Sequence, residues 1–178
     1  MFVWIGIDVD GQLADIKSKA QEIERKIGFE NSNFTLPLHV SLKISFSIDN
    51  SIFESVKSDI ISIFESSELL SIKVRGVELE GNICWLMMDR NEALDCIHDK
   101  LNSVMLEKYG IPLHEYDLDY KFHTTLFMDS DFGKVAHAYE MLGDVYIPSK
   151  LTADKFVIGT SENGALGTYR VVYEYIKK

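Results

Sequence analysis

Hydrophobic and polar positions follow two rhythms along this chain. Period-two alternation or short unbroken apolar runs fall near residues 2–9, 36–47, 69–80, 82–90, 119–128, 147–159 and 166–176, and these predict strands. Between them, apolar residues recur at three- and four-residue spacing over 11–28, 50–66, 91–109 and 131–143, which predicts four helices. Leu13, Ile16, Ala20, Ile23 and Ile27 form the stripe of the first helix. Leu94, Ile97, Leu101, Val104 and Met105 form that of the third.

The order of elements is written twice. WIGID (Trp4 to Asp8) is echoed by WLMMD (Trp85 to Asp89), with a helix after each. LHVSL (Leu38 to Leu42) returns as FHTTL (Phe122 to Leu126), and VRG at Val74 as VIG at Val157, at nearly the same separation each time. Each half therefore reads strand, helix, motif strand, helix, strand. The expected fold is α+β, one bilobal domain over 1–178 with repeat halves near 1–81 and 82–178. Its two sheets would be mainly antiparallel, with flanking helices around a central cleft. A pseudo-twofold axis between the halves would make His39 face His123. Trp4 and Trp85 read as core aromatics that fix the register of the repeat.

Composition narrows the function. The 178 residues suffice for a buried core, and 46% hydrophobic with 26% charged residues is ordinary for a globular protein. The start, MFVWIGIDVDG, has no basic leader and too short an apolar run for a signal peptide or membrane span. Cys84 and Cys96 make neither a disulfide framework nor a metal-ligand pattern, so a cytoplasmic location fits. A net charge of -10 argues against gripping a long nucleic-acid duplex and favours a nucleotide or a chain end in a small local site. No membrane partner is expected, and a monomer is compatible with all of this.

Candidate chemistry sits in the two echoed motif strands. In LPLHVSLKI (Leu36 to Ile44), side chains two apart share a face, so His39 and Ser41 stand together while Leu38, Val40 and Leu42 line the other side. A single such tripeptide is ordinarily a half-buried histidine with its hydrogen bonds satisfied. Of the five histidines, however, only His39 and His123 carry Ser or Thr at +2 and Leu at +3. Average residue usage makes one such match about a one-in-seventy event per histidine, so two at matched repeat positions exceed chance.

Two imidazoles facing one cleft suit general acid–base catalysis, one neutral and one protonated near neutrality. Ser41 and Thr125 would add hydroxyl donors for a tetrahedral phosphate. Strict alternation also puts Lys43 on the His39 face, and Lys121 and Phe127 on the His123 face, as candidate phosphate-neutralising and base-stacking groups. Tyr169 and Arg170 are weaker candidates. His98, His114 and His137 read as surface or boundary residues, and the acidic run HEYDLDY (His114 to Tyr120) as a solvated loop rather than a metal site.

HVSL (His39 to Leu42) and HTTL (His123 to Leu126) resemble the paired His-x-Ser/Thr-hydrophobic motifs of the two-histidine (2H) phosphoesterase superfamily. That group includes bacterial RNA 2',3'-cyclic phosphodiesterases, also called 2'-5' RNA ligases. Motif spacing, duplicated order and length extend the resemblance over nearly the whole chain. It implies a bilobal fold, no cofactor, and metal-independent opening of 2',3'-cyclic phosphates on RNA ends or nucleotides. It also implies catalytic roles for His39 and His123 and phosphate-binding roles for Ser41 and Thr125. Lys43 matches a lysine common at His+4 of the first motif in the RNA branch. That branch often has arginine at His+5 of the second motif, where this chain has Met128. The departure leaves 2'-5' linkages or other small cyclic phosphodiesters as alternative substrates. A nucleotide- or RNA-end-binding module is the non-enzymatic alternative.

Overall fold

The rhythms of the sequence become eight strands and four helices in a computed structural model that describes residues 1–29, 32, 34–68 and 70–177. The strands are β1 (Phe2–Asp8), β2 (His39–Ser47), β3 (Leu70–Glu80), β4 (Ile83–Met88), β5 (His123–Met128), β6 (Lys150–Ala153), β7 (Lys155–Ser161) and β8 (Arg170–Ile176). The helices are α1 (Ala14–Ile27), α2 (Phe53–Ser66), α3 (Glu92–Tyr109) and α4 (Phe132–Leu142). All strand pairs are antiparallel, in two four-stranded sheets ordered β2-β1-β7-β8 and β5-β4-β3-β6. The fold is α+β, as the pattern predicts.

Two details depart from the pattern. The apolar run at 147–159, read as one strand, is two: β6 and β7 lie in different sheets, and the chain crosses between them at Asp154. The sheets also do not coincide with the repeat halves. β3, from the first half, pairs with β4 of the second, while β7 and β8 of the second half complete the sheet of β1 and β2.

Helix boundaries follow local chemistry. The Asn91 side chain accepts from Leu94 N–H to open α3, and Asp131 accepts from Gly133 N–H to open α4. Gly28 and Gly110 end α1 and α3 in the left-handed conformation that costs glycine least. Ile16, Ala20 and Ile23 of α1 and Leu94, Ile97, Leu101 and Met105 of α3 are buried, as their stripes require. α1 packs on α4 and β5, and α3 on α2 and β2. Each motif strand thus has a helix against it.

Both motif strands are edge strands of their sheets, and those edges meet. The fully buried Thr124 closes the junction by donating its hydroxyl to the His39 carbonyl at 2.9 Å. An edge strand normally exposes unpaired backbone groups, so this covering also protects the sheet. No helix among the described residues is long and apolar enough to cross a membrane.

Candidate active site

The two motif strands carry the same irregularity at the same place. Ser41 pairs with Gly6 and Lys43 with Ile5, so Leu42 has no residue opposite it. Thr125 pairs with Trp85 and Phe127 with Cys84, so Leu126 is likewise extra. A bulge of one residue reverses the alternation beyond it. Up to the bulge, His39 and Ser41 face the cleft, as do His123 and Thr125. Beyond it, Lys43 and Phe127 turn to the buried side, and Ile44 and Met128 take the cleft face.

A cavity of about 300 Å³ lies where the strands meet, and it brings His39, His123, Ser41 and Thr125 together. Trp4, Tyr120 and Met128 border it, and the loop before β8 closes one side with Leu166, Gly167 and Tyr169. Each histidine is held by the carbonyl two residues before it. His39 Nδ1 donates to Pro37 O at 2.8 Å, and His123 Nδ1 to Lys121 O at 2.6 Å. Nε2 of each ring is thereby left available to another partner. Burial pushes His39 down to about 4, with a further push from His123 and opposed by the Pro37 carbonyl and Asp8. Burial also lowers His123, against the Lys121 carbonyl and Glu80.

An indole supports each imidazole by a different route. Trp85, directly across from Thr125, lies flat against His123 at 4.4 Å and 14° between planes. The residue across from Ser41 is glycine, and Trp4 reaches His39 from further along β1, meeting it edge-on at 4.2 Å and 66°. Its ring lies across Gly6 and Gly159, where a Cβ would come within 2.8 and 2.5 Å of it. Both glycines exist for this approach. The register of the two tryptophans therefore differs from the one their echoed motifs predict. They are also more than core aromatics, since each packs on a motif histidine. Trp4 Nε1 donates to Ser41 Oγ at 3.3 Å, whereas the indole N–H of Trp85 is buried without a partner among the described residues.

Of the three further residues that strict alternation puts at the cleft, Phe127 lies behind it, and the two lysines have carboxylate partners. Lys43 borders the cavity, but its ammonium is 2.7 Å from Asp117 and 2.6 Å from Asn102 Oδ1, with the lysine side chain 2% exposed. Its charge is spent on that pair. Phe127 is fully buried and packs on Phe29 at 5.6 Å. Lys121 is exposed on Glu80, 5.8 Å from the Trp85 ring, and serves the site through its carbonyl. Tyr169 borders the cavity, while Arg170 begins β8 on the exposed surface.

The remaining histidines divide. His114 is exposed and its ring accepts from Tyr116 N–H, and His137 is exposed on α4. His98, expected near the surface, is 2% exposed. Its Nδ1 donates to Leu42 O at 2.8 Å, and its Nε2 faces Asn102 Nδ2 at 2.9 Å. One proton order serves three of the contacts: Lys43 donates to the Asn102 carbonyl oxygen, the Asn102 amide to His98 Nε2, and His98 Nδ1 to the bulged Leu42, which leaves the Asp117 carbonyl, 3.1 Å from Nε2, without that nitrogen's proton. Asp117, from the run read as a solvated loop, anchors this chain. Burial would raise its carboxyl, but Lys43 and the N–H groups of His114 and Ile44 hold it below its ordinary value.

Tyr120 is the cleft residue the sequence left unmarked. It lies at the end of the same acidic run, three residues before His123, and is 4% exposed.

No protein-family model matches the chain, and no curated protein matches it. Solved structures share its fold, among them E. coli LigT. TT0787 of Thermus thermophilus is 14% identical, with a TM-score of 0.64 over 99% of this chain and 97% of the other. E. coli LigT complexed with 3'-AMP is 14% identical, with a TM-score of 0.62 over 99% and 97%. Usb1 of Kluyveromyces marxianus is 13% identical, with a TM-score of 0.51 over 98% and 97%.

Proposed function

We propose that this chain is a two-histidine phosphodiesterase that opens 2',3'-cyclic phosphates on nucleotides or RNA ends. The observation that carries the reading is the pair of His39 and His123 on one cavity, each with Nδ1 tied to a carbonyl and with a hydroxyl two residues on. The likeness in fold to LigT, a protein solved with 3'-AMP, supports a nucleotide-sized ligand.

In this mechanism His39, the more strongly depressed imidazole, is neutral and takes a proton from water. The water oxygen bonds to phosphorus as the P–O3' bond breaks, and His123 gives its proton to the departing O3'. The product is a 2'-phosphate, and the histidines return to their starting states by exchange with solvent. Ser41 and Thr125 donate to the non-bridging oxygens as charge gathers on them. A bound phosphate anion raises both imidazoles, which helps His123 carry its proton. No step uses a metal or cofactor.

The cavity is largely apolar around these groups, and the lysine on its wall is already paired with Asp117. Such a site fits a monoanionic diester better than a dianionic monoester. The test is a panel of 2',3'-cyclic nucleotides, cyclic-phosphate RNA ends and 2'-5' dinucleotides in excess EDTA, resolved by product. Opening of the cyclic substrates to 2'-phosphates is expected. Turnover confined to 2'-5' linkages, or lost in EDTA and restored by a divalent ion, overturns the reading.

A further inference from the structure

Tyr120 carries a buried hydroxyl beside Ser41. The oxygen is buried and has no hydrogen-bond partner among the described residues. The ring cannot swing to find one. It is stacked on His98 at 4.4 Å and 24°, and Phe122 meets it edge-on at 5.1 Å and 72°. Burying an unpaired hydroxyl costs stability, and phenylalanine would fill the same space without that cost. The hydroxyl adjoins Ser41, short of a hydrogen bond of full geometry. Burial also pushes the phenol above its ordinary pKa, so it keeps its proton.

We propose that Tyr120 is a positioning residue that, together with Trp4, presets the Ser41 hydroxyl to donate into the cleft. The Trp4 N–H occupies one lone pair of Ser41 Oγ at 3.3 Å. An indole nitrogen can only donate, and a buried phenol is a better donor than an alcohol. With the Tyr120 O–H aimed at the second lone pair, the Ser41 proton has one direction left, toward the cavity. When a phosphate oxygen accepts that proton, Ser41 becomes a stronger acceptor and the Tyr120 bond tightens. The ligand thus completes a hydrogen bond that it never touches. Thr125 receives no such support from Trp85, whose N–H has no partner among the described residues.

The inference rests on the phosphodiester reading for its ligand class, and its test reads binding as well as turnover. Inorganic phosphate is titrated into wild type, Tyr120→Phe, Ser41→Ala and the double variant in phosphate-free, mildly acidic buffer, where the ligand is a monoanion. Tyr120→Phe should weaken phosphate about tenfold in wild type and in a Thr125→Ala background, the scale of one charge-assisted hydrogen bond. In the Ser41→Ala background it should change nothing further. Its Tm should stay level or rise, which a merely structural tyrosine would not do. An equal loss with or without Ser41, an unchanged phosphate affinity, or a wild type that binds no phosphate overturns the inference. A wild type that binds phosphate in this pattern yet opens no diester overturns the proposed function alone. Diester turnover with Tyr120→Phe at full strength in both readouts overturns the inference alone.

Discussion

The two motif strands began as one pattern and are held in place by opposite means. β2 and β5 share the histidine, the hydroxyl, the bulged leucine and the carbonyl two residues back. At the next position they part. Lys43 enters a buried chain of Asp117, Asn102 and His98, while Phe127 enters an apolar layer against Phe29. The difference teaches which features the proposed chemistry needs twice. The histidine and the hydroxyl that face the cleft are duplicated, and what anchors the strand from behind is free to differ. The histidines inherit part of the difference, with His39 down at about 4 and His123 lowered against the opposing pull of Glu80.

The largest effect should come from separating the two histidines by role. Replacing either His39 or His123 by alanine should lower kcat roughly a hundred- to ten-thousandfold. The double variant should lose less than the product of the single losses, because residues acting as one unit are not additive. A substrate whose 3' bridging oxygen is replaced by sulfur has a leaving group that needs no proton. It should restore His123→Ala toward wild-type turnover and leave His39→Ala slow. Rescue of His39→Ala instead would exchange the roles of the two strands.

Next in size is the contrast between the anchors. Lys43→Met removes one member of a buried ion pair and strands Asp117, at about 3–5 kcal/mol. Phe127→Ala should cost a similar amount through the cavity it leaves. The two separate when the stranded partner is also removed. Lys43→Met with Asp117→Leu should recover much of the lost stability in a denaturant titration, because a buried pair can be replaced by apolar groups. No single change near Phe127 should do the same. If the double variant is no more stable than Lys43→Met, the ionic chain is not what holds β2.

This contrast also marks how far the sequence could be read. The element order, the antiparallel α+β plan and the meeting of His39 with His123 on one cavity were legible because periodicity and the repeated motif report them directly. The anchors were not. Alternation predicts faces only while the strand stays regular, and nothing in HVSLK or HTTLF announces that Leu42 and Leu126 bulge. Both are apolar on either reading. His98 and Asp117 were hidden for a related reason, since a polar residue is buried only when partners distant in sequence meet it. Tyr120 stood in an acidic run whose other members are mostly exposed. The break at Asp154 was masked by apolar residues on both sides, although the two strands belong to different sheets.

The depressed imidazoles also set a pH dependence. In the proposed mechanism the kcat/KM profile of the free protein should be bell-shaped, rising near pH 4 and falling again before the ordinary histidine value of 6.5. Stability carries the same sign. A histidine with a folded value below its unfolded one binds fewer protons when folded, so stability is full above 6.5 and falls as pH drops toward 4. For His39 the fall is at most about 3 kcal/mol, less to the extent that water in the open cleft reaches the ring. Loss through Asp117 comes at lower pH, because its value lies below 3.8. His39→Gln should flatten the window from 6.5 to 4 more than His123→Gln does. Equal flattening would mean that the two rings are equally buried in solution.

The smallest effect belongs to the tryptophans, and it is the finest test of the asymmetry. Trp4→Phe removes the donor to Ser41 and empties part of the space that Gly6 and Gly159 leave for the indole. It should cost about 1–3 kcal/mol and weaken phosphate through Ser41. Trp85→Phe also loses packing area, but it discards a buried N–H that has no partner among the described residues. Removing an unsatisfied donor returns about 1–3 kcal/mol, which offsets the smaller ring. A phenyl can still stack flat on His123, as the indole does at 14°. Thermal melts should therefore place Trp85→Phe within about 1 kcal/mol of wild type and Trp4→Phe clearly below it. If the two substitutions cost the same, the Trp85 N–H is satisfied in solution and the strands are supported alike.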